Sequence, residues 1–118
     1  MDKKNVEAWV EGYLRAWNSN DPDEIGQLFA EDGAYYTGPF DDPWIGRDAI
    51  VQEWLSRKDD PGSFSFGYEI LAAANNLGVI RGWTRYFNPD GEYSNIWLIK
   101  FDGQGRCEEF TEWWVQKG

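Results

Sequence analysis

The chain changes hydrophobic period once, at Asp59-Asp60-Pro61-Gly62, and that switch does most to limit its fold. Before it, apolar residues recur at helical spacing; after it they alternate as in strands, divided by turn signals. Val6, Trp9, Val10, Tyr13, Leu14 and Trp17 share one helical face, and Glu7, Glu11 and Arg15 share the other. This predicts a long amphipathic first helix ending at Asn18-Ser19-Asn20. Asp21-Pro22-Asp23-Glu24 opens a second helix, with Asp21 as N-cap, Pro22 in the first position and Glu24 in a capping-box-like place. Its stripe is Ile25, Leu28 and Phe29, and it is expected to stop near Asp32-Gly33. A short strand at 34–37 follows. The loop at 38–44 then carries two prolines and two aspartates, which forbid regular structure. Phe40 and Trp44 on that loop are lid candidates. A third helix opens at Gly46-Arg47-Asp48, with Ile50, Val51, Trp54 and Leu55 on its inner face.

Beyond the breaker, four long strands are predicted at 63–74, 77–88, 92–102 and 105–117. Asn75-Asn76, Asn88-Pro89-Asp90-Gly91 and Asp102-Gly103-Gln104-Gly105 form the turns between them. Gly67 and Gly82 fall inside strands, where glycine marks a bulge or bend. The expected architecture is α+β and a single domain over 1–118. A cone-shaped, strongly curved antiparallel sheet wraps around the long N-terminal helix, with three helices in all. Such a cone has an interior cavity.

The 118 residues include 11 Lys and Arg and 21 Asp and Glu, for a net charge of −10. An acidic surface repels phosphate backbones and anionic lipid, so neither nucleic acid nor membrane is an expected partner. Histidine is absent, which removes Ser-His and Cys-His nucleophile pairs and nearly all His-containing zinc sites. Neither a metal nor a cofactor is expected. The single cysteine, Cys107, excludes an internal disulfide; alternation places it beside Glu109 as a half-buried thiol. No apolar run reaches the roughly 18 to 20 residues that span a bilayer, and the expected location is cytoplasmic. Aromatic residues make up 18%, with eight tryptophans, more flat surface than a small core needs. That favours a lined cavity or an interface.

The last strand places a carboxylate inside this aromatic set. Phe110, Glu112 and Trp114 share one face, while Trp113 and Val115 take the other. A buried carboxylate must be paired, protonated or functional. The matching pocket face is read as Val79, Arg81, Trp83, Arg85 and Phe87 in strand 77–88, and as Asn95, Trp97, Ile99 and Phe101 in strand 92–102. Lys100 then points outward. Two readings of Glu112 stay open. It pairs structurally with Arg81 or Arg85, or it moves a proton while an arginine orients an anionic or carbonyl-bearing ligand. Asp41 and Asp42 are alternative acids near the pocket mouth. The outer face, read as Ile80, Thr84, Tyr86, Ile96, Leu98, Trp113 and Val115, is apolar enough to need a cover, so a homodimer packed sheet to sheet is expected.

Three stretches and the order of elements resemble the nuclear transport factor 2-like superfamily, and most of all its SnoaL-like group. The stretches are YLRAWNSNDPDEIGQLFAEDGAYYTGP, WIGRDAIVQEW and the closing IWLIKFDGQGRCEEFTEWW, within a layout of helix, helix, short strand, helix and four long antiparallel strands. Ketosteroid isomerase is a more distant relative. The resemblance implies that Tyr13 occupies the place of the isomerase's oxyanion-binding tyrosine. Thr37 stands where that enzyme has its general-base aspartate, and Trp97 stands where it has its second oxyanion donor. A steroid isomerase is therefore not expected, and the histidine of SnoaL-type aldol cyclases has no counterpart. The combined expectation is a dimeric binder of a small apolar or carbonyl-bearing molecule. Glu112, Tyr13, Arg81 and Arg85 would carry any chemistry. Trp17, Tyr35, Thr37, Trp83, Asn95, Trp97, Phe110 and Trp114 would line the site. If catalytic, it would run cofactor-free isomerisation, cyclisation or dehydration by proton transfer. The alternative is a ligand-binding or protein-interaction module without chemistry.

Overall fold

The computed structural model describes residues 2–118. Helix α1 spans Lys3–Ser19. Its N-terminal amides are satisfied by a capping box, in which Asp2 accepts from the Asn5 amide and Asn5 returns the bond. It ends where Asn20 turns left-handed, at φ 54°, and donates its amide to the Ala16 carbonyl. Helix α2 is only Pro22–Gln27, capped by the Asp21 carboxylate, which accepts from the Asp23 and Glu24 amides. The expected continuation to Asp32-Gly33 does not form. Strand β1 (Phe29–Tyr36) starts at once, because the Leu28 carbonyl is taken by the Cys107 amide and Phe29 pairs with Cys107. Leu28 and Phe29 fit a helical stripe and a strand equally well, and the sheet claims them.

Strand β2 (Trp44–Ile45) pairs with β1, and helix α3 follows over Arg47–Ser56. The four long strands then appear where the turns placed them: β3 (Phe64–Ala74), β4 (Leu77–Phe87), β5 (Asp90–Phe101) and β6 (Cys107–Gln116). The curved sheet runs β2-β1-β6-β5-β4-β3 and is not closed. It is mixed rather than wholly antiparallel, because β1 lies parallel to β6. That contact joins strands 70 residues apart in sequence, which no local turn signal announces.

Helix α1 lies against the concave face. Trp9 packs its ring on Phe29, Phe101 and Phe110 at 5.8–6.0 Å, and its indole N–H donates to the Leu28 carbonyl. Val6 presses on β4 at Gly78, where an added Cβ would sit 2.9 Å from a Val6 methyl. Bulges occur between Ile70 and Ala72 and opposite the Lys100–Phe101 step, not at Gly67 or Gly82. The second bulge absorbs Glu108, so Cys107 turns inward and is fully buried instead of sharing a face with Glu109. No described helix is long and apolar enough to cross a membrane.

Candidate functional site

One end of the concave face is left open by α1 and forms a cavity of about 420 Å³. Five tryptophans line it, Trp17, Trp44, Trp54, Trp97 and Trp114, together with four tyrosines. At its wall the register aligns Ile80, Trp97 and Glu112 across β4, β5 and β6, with Gly82, Asn95 and Trp114 beside them. Glu112 Oε2 accepts two bonds, from Asn95 Nδ2 at 2.9 Å and from Trp97 Nε1 at 3.0 Å. Thr84 donates its hydroxyl to Asn95 Oδ1 at 2.8 Å, which fixes the amide so that its NH2 faces the carboxylate. Both N–H donors fall on the same oxygen, and no described residue hydrogen-bonds Oε1.

Burial pushes the Glu112 carboxyl above its ordinary 4.5, while the bonds from Trp97 and Asn95 pull it down. A carboxyl whose proton affinity rises on folding favours the fold while protonated. That contribution is present below the unfolded value and is lost as pH climbs through the folded one. Glu112→Gln is therefore expected to unfold at a higher temperature than the wild type at pH 7. The gap should close as the pH falls below about 4.5, measured by thermal melts across pH. A variant less stable than wild type at pH 7 would show that the carboxylate is held favourably instead.

Next to Glu112, the Tyr13 and Tyr35 hydroxyls meet at 2.8 Å. Burial pushes both well above the ordinary tyrosine value, so each stays neutral, and the nearby Glu112 charge adds to the rise. One hydroxyl donates to the other, and a single proton remains to aim elsewhere. A second acid closes the far side. Asp59 Oδ2 accepts from Trp17 Nε1 at 2.9 Å and from Tyr86 at 3.3 Å. Its backbone carbonyl accepts from Asn20. Arg57 and Lys58 stand at the same rim; Arg57 lies 5.4 Å over the Trp44 ring and pairs with Glu53 at 3.3 Å.

Of the residues expected at the site, Glu112, Tyr13, Trp17, Tyr35, Thr37, Asn95, Trp97 and Trp114 line this cavity. Phe110 is fully buried behind the wall, against Tyr13, Tyr35 and Trp97. Arg81, Arg85 and Trp83 are not in the site. The inward side of β4 is Gly78, Ile80, Gly82, Thr84 and Tyr86, one position out of step with the expected parity, so Val79 and Phe87 also face away. Both faces of β4 mix apolar and polar residues, so alternation by itself had no sign. Space decides it: the inward glycines admit Val6 and Phe66. On the outside, Arg85 pairs with Glu92 at 3.5 Å and Arg81 lies 5.1 Å over the Trp83 ring. Among the described residues, Glu112 consequently has no arginine partner. Asp41 takes the Thr37 hydroxyl at 2.8 Å and is exposed, as is Asp42. Phe40 is 98% exposed and does not line the cavity, whereas Trp44 stacks on Tyr35 at 4.6 Å.

Thr84 and Tyr86 escaped sequence reasoning through that parity. Asp59 escaped because Asp59-Asp60-Pro61-Gly62 reads as a helix breaker, and Trp54 because it reads as core. No local signal marks Asp59 as a site residue, since its role depends on Trp17 and Tyr86 arriving from distant elements.

A family model described as a SnoaL-like domain matches residues 10–115. No curated protein matches the chain in sequence. Among solved structures, an NTF-2 like protein of unknown function from Burkholderia xenovorans LB400 superposes with a TM-score of 0.77 at 13% identity. The match covers 98% of this chain and 87% of that one. The epoxide hydrolase/cyclase-like enzyme SalBIII, described in pyran ring formation in the polyether salinomycin, superposes at 0.76 with 14% identity, over 97% and 93%. A ketosteroid isomerase-like protein from Erwinia carotovora atroseptica SCRI1043 gives 0.69 with 16% identity, over 99% and 100%. At these identities the likeness is one of fold.

Proposed function

This chain belongs to the SnoaL-like family, and from that membership and its cavity we propose that it binds a small, largely apolar molecule by one polar end. The observation that carries this is Glu112. Its Oε2 is fixed by Asn95 and Trp97, and its Oε1 is left for a ligand in a cavity walled by aromatic rings. If the protein is catalytic, Glu112 moves a proton without a cofactor, in an isomerisation, cyclisation or dehydration. The spare proton of the Tyr13–Tyr35 pair then stabilises the developing oxyanion. The Thr84–Asn95 relay holds the carboxylate in one orientation, which proton transfer requires. The second reading, binding without chemistry, is favoured by the same tyrosine pair, because each hydroxyl already has a partner. Crystal soaks and native mass spectrometry with a library of small cyclic compounds test the site. Occupancy next to Glu112 that weakens in Glu112→Gln is the expected result, and a cavity that takes up no compound refutes it. Turnover of a bound compound, lost in Glu112→Gln, decides for the enzyme.

The outer sheet face supports a homodimer. Trp83, Trp113 and Val115 are 44%, 48% and 69% exposed there, beside Ile96 and Leu98. Water-exposed aromatic area of this kind on a sheet calls for a cover of the same character, and a second copy offers one. Sedimentation at micromolar concentration should give about twice the 13.7 kDa chain mass. A clean monomer removes the proposal, and Trp113→Lys should produce one.

A further inference from the structure

We infer that the ligand's polar end is a cation, an alkylated or quaternary ammonium, held by the aromatic wall with Glu112 as its counter-ion. The inference rests on the cavity being the ligand site, whether or not chemistry follows there. A carboxylate in a poorly hydrated place requires a positive partner or a proton. Glu112 has neither arginine nor lysine within salt-bridge distance among the described residues, since Arg81 and Arg85 face the other side of the sheet. What it does have is two N–H donors on Oε2, and these favour the charged form. The second acid of the cavity, Asp59, is likewise served by an indole N–H and a phenol O–H rather than by a cation.

Five indoles and four phenols, the rings whose negative faces attract onium groups, make up most of the lining. Trp97 is the register partner of Glu112 and Trp114 lies one row on, so two indoles and the carboxylate belong to one wall. Facing Glu112 from the other elements are Tyr13 of α1, Tyr35 of β1, Tyr86 of β4 and Tyr93 of β5. Burial holds Tyr13, Tyr35 and Tyr86 neutral. The cations of the lining, Arg57 and Lys58, stand in the segment leading out of α3. Glu53 offsets Arg57, and Asp59 adjoins Lys58. An uncharged carbonyl would meet an acceptor oxygen at Oε1; an onium group meets opposite charge and ring faces together.

The test uses two soluble probes of one shape, choline and its carbon isostere 3,3-dimethyl-1-butanol, titrated calorimetrically into the intact protein at pH 8. Choline is expected to bind at least about tenfold more tightly. Its affinity should fall as the pH drops and Glu112 takes a proton, while the alcohol's affinity should stay level. Glu112→Gln should erase the tenfold preference. The wild-type comparison stands even where that variant does not fold. Equal or tighter binding of the alcohol overturns the cation and leaves the cavity reading intact. Binding of neither probe overturns both.

Discussion

Trp97→Ala is expected to cost about 3–5 kcal/mol of folding stability, among the largest losses any single substitution here should cause. Trp97 is 1% exposed and sits where the cavity wall meets the core. Its ring contacts Tyr13 at 4.4 Å, Phe66 at 5.0 Å and Phe110 at 5.2 Å. Rigid rings surround the gap that truncation leaves, so they relax into it poorly. Chemical denaturation measures the loss, and a cost under about 1 kcal/mol would mean that the site collapses freely. Trp97→Phe separates the two roles of the residue. It keeps most of the packing but removes the N–H that Glu112 accepts. Its expected cost is smaller, about 1–3 kcal/mol, and it should further raise the Glu112 carboxyl, because one of the two bonds holding it down is gone.

Gly82→Ala should be the second large effect. A Cβ at position 82 would lie 2.4 Å from Phe66 Cζ and 2.6 Å from Cε1, too close for any packing of real atoms. Phe66 cannot simply swing aside, because its ring stacks on Trp97 at 5.0 Å and 15° and also meets Trp17 at 5.6 Å. The strain should cost about 1–3 kcal/mol and distort the cavity wall, since Gly82 sits in the register row of Asn95. Phe66→Leu in the same chain should recover part of the loss, because it removes the atoms that clash. In a double-mutant cycle the two substitutions should couple, and simple additivity would place the strain elsewhere.

These two sites illustrate which features can be read along the chain. The α1 stripe through Val6, Trp9, Val10 and Tyr13 is buried, because a 3.6-residue period and a single apolar face leave one solution. The Asp21-Pro22 start and the Asn88-Pro89 turn are local chemistry, and both stand where their residues placed them. Alternation also gave the correct faces of β5 and β6, where Trp97, Ile99 and Phe101 are consistently apolar opposite Lys100, which pairs with Glu109 at 2.8 Å outside. In β4 the same rule failed. Arg81, Trp83 and Arg85 look as suited to a polar pocket as Ile80, Gly82 and Thr84 do, and a period of two carries no sign.

Apart from the short strand β2, the sequence by itself therefore determined the order of the three helices and the four long strands, the family, and the placing of Glu112 among aromatic residues. All of these follow from neighbours within a few positions, or from a pattern spread over the whole chain. The tertiary structure decided which partners Glu112 meets. Asn95 and Trp97 serve it instead of Arg81 and Arg85, because the β4 glycines must face Val6 and Phe66 and so turn the arginines outward. It also decided that β1 lies parallel to β6 and that Asp59 reaches the cavity through Trp17 and Tyr86. Contacts between distant segments depend on the volumes that remain once the elements pack, and no local spacing encodes those volumes.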